Sequence, residues 1–241
     1  MAVVRGLAPA LFVLAIPLAL IGTNVRYLAN EGRVYQYAID QYDAPSSTGI
    51  ARGELVRAST DLRNYFNNDV GFFNTTVKQG GREVPLFNER ETLHLKDVKA
   101  LFHWTFALQE IALVYIMAYV VGVFVWARER SLRTLAFHTL AGGVLTIGIV
   151  AALAGLALGG FEQAFERFHM IAFTNDLWQL DPRTDHLIQM FPEGFWFDVT
   201  MFLGLLTLGE AVIVALGSTI HITVTRGAAK HALTPSQQPA H

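Results

Sequence analysis

Residues 100–126, ALFHWTFALQEIALVYIMAYVVGVFVW, decide the fold. This run of 27 residues carries one carboxylate, Glu110, and no Lys or Arg. At about 1.5 Å rise per residue, roughly 20 apolar residues cross the hydrocarbon core of a bilayer. The stretch is therefore read as a transmembrane helix. Three further runs meet the same test: Gly6 to Val25, Leu132 to Gly160, and Phe195 to Val224, the last interrupted near its start by Asp198. Hydrophobic residues make up 52% of the chain and charged residues 16%. A soluble chain carries about 25% charge, so the composition agrees with the runs. Short segments of alternating polarity, the mark of a membrane β-barrel, do not occur. The fold class expected is an all-α integral membrane protein: four transmembrane helices in a single membrane domain, 1–241.

Between the helices lie an outer region 26–99, a loop 127–131, a second outer loop 161–194 and a tail 225–241. Lys and Arg collect in short cytoplasmic loops. Loop 127–131 reads ARERS with Arg133 after it, Arg5 precedes the first helix, and Arg226 and Lys230 follow the fourth. These three regions share one side of a four-helix chain, so both termini are expected in the cytoplasm. The first run is too long for a signal peptide and lacks a small-residue cleavage site before its charged flank. It is read as retained.

The region 26–99 carries ten basic and ten acidic residues, and 161–193 carries two basic and six acidic. Both are expected outside. The first is read as a mainly helical extracytoplasmic cap. Leu55, Leu62, Tyr65 and Phe66 recur at helical spacing. Pro45 to Gly49 reads as a turn, and Gly80–Gly81 as the turn of a hairpin between Thr75 and Val84. The stretch from Glu89 runs into the second spanning helix with no Gly or Pro to break it. Its many aromatics suit a domain lying on the headgroup zone. The tail AAKHALTPSQQPAH is expected to be flexible.

No cysteine occurs, which excludes disulfides, thiolate catalysis and thiolate metal sites. No HExxH or GxSxG motif occurs either, so zinc-protease and serine-elbow chemistry lack their signatures. Of eight histidines, His231 and His241 fall in the tail, His221 near the end of helix four, and His138 and His103 inside or beside spans where local hydrogen bonding accounts for them. His94 and His169 differ. Each lies just outside a span, on the outer side, among charges and aromatics. His94 has Glu91 three residues before it and Asp97 three after. Helical spacing would put both carboxylates on its face, where they could fix its tautomer. His169 sits in FERFHMIAF, in a helix expected to end near TNDLW. Asn175, Asp176 and Asp181 follow on a turning loop from which polar atoms can reach a site. Phe168, Trp178 and Trp196 could line its mouth. Two imidazoles at a lipid boundary suit general acid–base work. A two-His, one-carboxylate metal site using Asp97 or Asp181 is the alternative. Glu110 and Glu210, inside spans, are functional suspects by cost of burial. His186 is read as a surface residue. The small residues of AGGVLTIGIVAALAGLALGG favour close helix packing.

The stretches LFNERETLHLKDVKALF and FHMIAFTNDLWQLDPRTDHLIQMFPEGFW resemble those of the lipoprotein intramolecular transacylase (Lit) family of bacterial integral membrane proteins, over nearly the whole chain. The resemblance implies a substrate lipoprotein whose N-terminal cysteine carries a diacylglyceryl thioether. It implies transfer of the acyl chain on the middle glycerol carbon (sn-2) to the cysteine α-amino group, giving a lyso-form lipoprotein. His94 and His169 match the family's catalytic histidines. His94 would then be the base, and His169, helped by Asn175, would serve the ester oxygens; the roles could be exchanged. The partners expected are diacylglyceryl lipoproteins and membrane lipid, with no cofactor, no resident metal and no nucleic acid, and the chain is expected to be a monomer in the bacterial cytoplasmic (inner) membrane with the site on the outer face. A non-enzymatic lipid- or lipoprotein-binding protein, or an acyltransferase or hydrolase acting on another lipid, are the alternatives.

Overall fold

The computed structural model describes residues 2–126 and 130–232. Residues 127–129 of the expected loop and 233–241 of the expected tail, His241 among them, lie outside the described residues. In chain order the elements are α1 (Ala2–Asn30), α2 (Gly32–Gln41), α3 (Ala44–Thr48), α4 (Arg52–Phe66), β1 (Thr76–Gln79), β2 (Arg82–Pro85), α5 (Glu89–Trp126), α6 (Arg130–Gly159), α7 (Phe161–Ala172), α8 (His186–Met190) and α9 (Glu193–Ala232). Among the described residues four helices are long and apolar enough to cross a membrane, over Gly6–Asn30, Glu89–Val125, Leu132–Gly159 and Glu193–Arg226.

The spans end later, or begin earlier, than the hydrophobic runs do. Helix α1 passes Val25, α5 starts at Glu89 rather than Ala100, and α9 runs from Glu193 into the tail as far as Ala232. A helix stops at a cap or a breaker, not where its side chains turn polar. Asn88 and Glu91 set the start of α5, and the Ala-rich GAAKHA after Arg226 favours helix over the flexible chain expected there.

Two compact units make up the chain. The first comprises residues 1–21, 108–151 and 206–241. It packs by small residues, as the sequence of α6 suggested. A side chain at Gly142 would overlap Ile16, and one at Gly143 would press on the Ala211 carbonyl at 3.3 Å. Ala15, Ala19 and Ala112 form a buried cluster with Tyr115 and Ile116 packed against it. The Tyr115 hydroxyl donates to the Ala8 carbonyl at 2.9 Å, and Phe12 stacks on Tyr119 at 4.5 Å.

The second unit comprises residues 22–107 and 152–205. Its core is aliphatic and aromatic: Ile39, Leu55, Leu62, Leu86, Met190 and Phe195 are all buried. Helix α4 supplies the expected face, with Leu55, Leu62, Tyr65 and Phe66 inside. The hairpin is present, β1 and β2 pairing antiparallel with Gln79 opposite Arg82. Its turn residues Gly80 and Gly81 both take positive φ, 59° and 79°, the backbone a two-residue hairpin loop needs. The expected turn at Pro45–Gly49 is a single turn of helix, α3, with a Pro in its first positions to preset φ.

Candidate active site

Helix α5 carries His94 and helix α7 carries His169, and both side chains are buried. Their ring centroids lie 6.2 Å apart. Phe173 touches both, at 5.1 Å from His94 and 5.6 Å from His169. Trp178 stacks on His169 at 5.0 Å with the planes 30° apart. Phe165 meets the same imidazole edge-on at 4.4 Å, and Phe168 at 5.3 Å. Trp196 is one layer back, against Phe165, with its indole N–H donated to the Phe191 carbonyl at 3.1 Å.

The two imidazoles are held differently. His169 donates Nδ1–H to the carbonyl of Phe165 at 2.7 Å, one helical turn back. A carbonyl only accepts, so the neutral ring is the Nδ1–H tautomer and its Nε2 carries a free lone pair. Burial lowers the pKa of His169 below the ordinary 6.5, and the carbonyl bond opposes part of that shift. The Nδ1 of His94 is buried with no hydrogen-bond partner.

Glu91 stands one turn before His94 on α5, as expected, but its oxygens bond elsewhere. It is 1% exposed. One of its oxygens accepts from the Asn88 N–H at 2.7 Å, while Asn88 Oδ1 accepts from the Glu91 N–H at 3.0 Å. This is a reciprocal capping box at the start of α5. Its other oxygen accepts from the Leu187 N–H at 2.6 Å, in the first turn of α8. One carboxylate thus caps two helices and has no oxygen left for His94. The Asn-x-x-Glu spacing at 88–91 was the signal for this role.

Asp97 also has another partner: its Oδ2 accepts from Asn175 Nδ2 at 2.9 Å. Asn175 Oδ1 in turn accepts from the Leu177 N–H at 3.0 Å. The amide proposed to serve an oxyanion is spent on holding the loop. Asp176 contributes its carbonyl, which accepts from Arg90 Nη2 at 2.6 Å. Arg90 was missed by sequence reading, because nothing local marks a partner 86 residues away. Together these bonds stitch the Phe173–Leu180 loop onto the first turns of α5, and this loop carries Trp178. Asp181 has a partner of its own. It pairs with Arg183 at 2.7 Å in an exposed turn, which lowers its pKa to about 2. Among the described residues no group of three metal-ligating side chains forms.

His186 is not a plain surface residue. Its Nδ1–H donates to the Leu86 carbonyl at 2.7 Å and pins α8 beside the hairpin exit. His138 has the local role expected, 2.9 Å from the Tyr119 hydroxyl, and His103 donates to the Phe66 carbonyl at 3.0 Å. Glu110 and Glu210 belong to the other unit.

Residues 10–196 match the family model for the lipoprotein intramolecular transacylase Lit. The chain belongs to that family. The solved structure of the membrane integral lipoprotein intramolecular transacylase Lit from Bacillus cereus shares its fold with a TM-score of 0.76 at 19% identity, over 94% of this chain and 99% of that one. A histidine-to-arginine variant of that protein gives a TM-score of 0.71 at 19% identity, over 94% of this chain and 96% of that one. An uncharacterized protein of Aquifex aeolicus is 29% identical over 145 residues, which is 59% of this chain and 60% of that relative. In this Lit-family chain the two stretches singled out by sequence, one on α5 and one on α7 with its loop, converge on a single aromatic-walled pair of imidazoles.

Proposed function

We propose that the protein is a membrane acyltransferase that performs intramolecular transfer on lipoproteins. It would move the sn-2 acyl chain of a diacylglyceryl-cysteine to the α-amino group of the same cysteine. The observation that carries this is the 6.2 Å approach of His94 and His169 in a chain of the transacylase family. In this reading the site faces the extracytoplasmic side of the cytoplasmic membrane, both termini are cytoplasmic, and the chain works as a monomer.

The reaction forms an N–C bond and breaks an ester C–O bond, while one proton moves from nitrogen to the glycerol oxygen. An α-amine has a pKa of about 7.7–8.0 and attacks only when neutral. The enzyme needs a base near the nitrogen and an acid near the oxygen. His169 suits the base, because its Nε2 lone pair is free while Nδ1–H is engaged. His94 suits the hydrogen-bond donor at the ester. An orphaned buried N–H is rarer than an orphaned lone pair, so the proton belongs on Nε2 and the unpartnered Nδ1 stays bare. That Nε2–H would donate a hydrogen bond to the ester carbonyl oxygen as charge develops, and the amine proton taken up by His169 would be the one delivered to the departing glycerol oxygen, leaving both rings neutral. This exchanges the roles expected from sequence, since the carboxylates that favoured His94 as base are bonded elsewhere. Nucleophile and ester belong to one molecule, so holding the substrate replaces a second binding event.

Expression in a strain that accumulates diacylglyceryl lipoprotein tests the proposal. Mass spectrometry of the N-terminal peptide should show unchanged mass and an acyl chain relocated to the amide. A folded protein that leaves the peptide wholly diacylglyceryl would refute it.

A further inference from the structure

Helix α7 presents three sectors rather than two. His169, Phe165 and Phe161 face the protein: His169 is buried, and Phe161 stacks on Phe165 at 5.6 Å. Glu162, Gln163 and Glu166 are exposed and polar. Next to the buried sector, on the opposite side from those polar residues, a stripe of Ala164, Phe168 and Ile171 follows the i, i+4, i+7 spacing of one helix face. Ile171 is 87% exposed and Phe168 48%. Arg167 borders the stripe and is exposed. Met170, 57% exposed, is the single apolar side chain in the polar sector.

Water is a poor neighbour for such a stripe. The chain immediately before it says what covers it. Leu153, Leu156 and Leu158, in the closing turns of the spanning helix α6, are exposed by 52%, 60% and 69%. They belong to the same compact unit, and in a bilayer such side chains meet acyl chains. The apolar surface thus continues from a spanning helix into α7, with only Gly160 between the two helices. Arg167 stands where the guanidinium of an in-plane helix meets lipid phosphates.

We propose that α7 lies in the interface of the outer leaflet, with the Ala164–Phe168–Ile171 stripe against acyl chains, and that this stripe is the lateral path by which the substrate's acyl chain reaches His169. The first half stands without any assigned activity. The second rests on the transacylase reading.

The absence of cysteine makes a clean test possible. Single variants Ala164→Cys, Phe168→Cys, Ile171→Cys, Glu162→Cys, Gln163→Cys and Glu166→Cys are nitroxide-labelled in vesicles of phosphatidylethanolamine and phosphatidylglycerol. Collision with oxygen and with a water-soluble nickel chelate is then read by electron paramagnetic resonance. Labels at 164, 168 and 171 should prefer oxygen, and labels at 162, 163 and 166 should prefer nickel. Equal nickel access at all six positions would overturn the seating.

The path is tested by Ile171→Glu beside Ile171→Leu. The Glu variant should raise KM by about tenfold or more, the scale of a few lost methylene contacts, with kcat largely kept. The Leu variant keeps the apolar area and should show a far smaller rise in KM than the Glu variant. Lipid-seated labels with an unchanged KM in Ile171→Glu would overturn the path and leave the seating. Lipid-seated labels in a parent that transfers no acyl chain would leave the seating intact and remove the transacylase reading instead.

Discussion

Helices α5 and α7 each deliver one imidazole, yet they build its surroundings by different means. Around His169 the fixing is local: its hydrogen bond goes to Phe165 one turn back, and Phe165 and Phe168 come from the same helix. Around His94 it is distant. The start of α5 is fastened through Glu91 to Leu187, through Asn88 to Asp185 at 2.9 Å, through Asp97 to Asn175 and through Arg90 to Asp176. A ring set by its own helix keeps its tautomer whatever the loops do. A ring set by remote fastenings depends on all of them. The comparison says which residues serve chemistry and which serve placement.

The sharpest break of it is at the rings. His169→Ala and His94→Ala should each reduce transacylation by about 10²–10⁴-fold, the span of a lost general acid or base. Both variants should remain folded, as judged by monodisperse elution in detergent. His169→Gln and His94→Gln should be comparably inactive, and activity near that of the parent in either would remove that ring from the acid–base role. Next comes Glu91. Glu91→Ala leaves the buried Leu187 N–H unpaired, at a cost of about 1–3 kcal/mol, and takes the cap from the part-buried Asn88 N–H, which water can reach more easily. Thermal unfolding followed by light scattering or dye binding should show a clearly lower Tm. Glu91→Gln keeps an acceptor oxygen and should lose less. If Glu91→Ala melts with the parent but is inactive, Glu91 belongs to the chemistry after all.

The same contrast explains how much could be read before the structure. The four spans needed only length and apolarity, and α4 and the Gly80–Gly81 hairpin needed only local spacing and turn chemistry. His169 and the end of its helix were equally legible, since its partner Phe165 is one turn away. Glu91 and Asp97 stand at i±3 from His94 as the spacing says, but both Glu91 oxygens and Asp97 Oδ2 carry bonds to other partners. Such competition is invisible in a local pattern. Only the capping box at Asn88–Glu91 hinted at it. Arg90 and His186 take their meaning from carbonyls 86 and 100 residues away, so no local rule could place them.

A milder disturbance is to loosen the loop without touching a ring. Arg90→Ala and Asp97→Ala each remove one stitch between α5 and the Phe173–Leu180 loop, and each stitch is a hydrogen bond made by a charged side chain. We expect about three- to tenfold loss in kcat/KM, in line with about 0.7–1.4 kcal/mol for such a bond at an exposed position. Arg90→Lys should recover part of it, because a single carbonyl acceptor does not need a guanidinium. Trp178 reports the change directly: its fluorescence should shift to the red as the ring leaves His169. Lost activity with an unmoved Trp178 spectrum would show that Arg90 acts by some route other than the loop.

The smallest effect is on pH dependence, and it isolates the local fixing of His169. Burial holds this imidazole below the ordinary 6.5, so its base form persists below that pH. The acid limb of kcat/KM assigned to the enzyme should therefore fall below pH 6.5. Stability follows the same sign. Below 6.5 the unfolded chain takes up a proton on this side chain that the folded chain refuses, so this contribution to stability is present above 6.5 and is lost as pH falls toward the folded pKa. Trp178→Ala uncovers one face of the ring while leaving the Phe165 bond in place. Its acid limb should move up toward 6.5 by less than about one unit, with a plateau lowered no more than by loosening the loop. The substrate amine titrates identically with both enzymes, so the ratio of the two profiles cancels it. A limb that moves down on uncovering the ring would mean that burial is not what holds the pKa low, and the base would then have to be sought at His94.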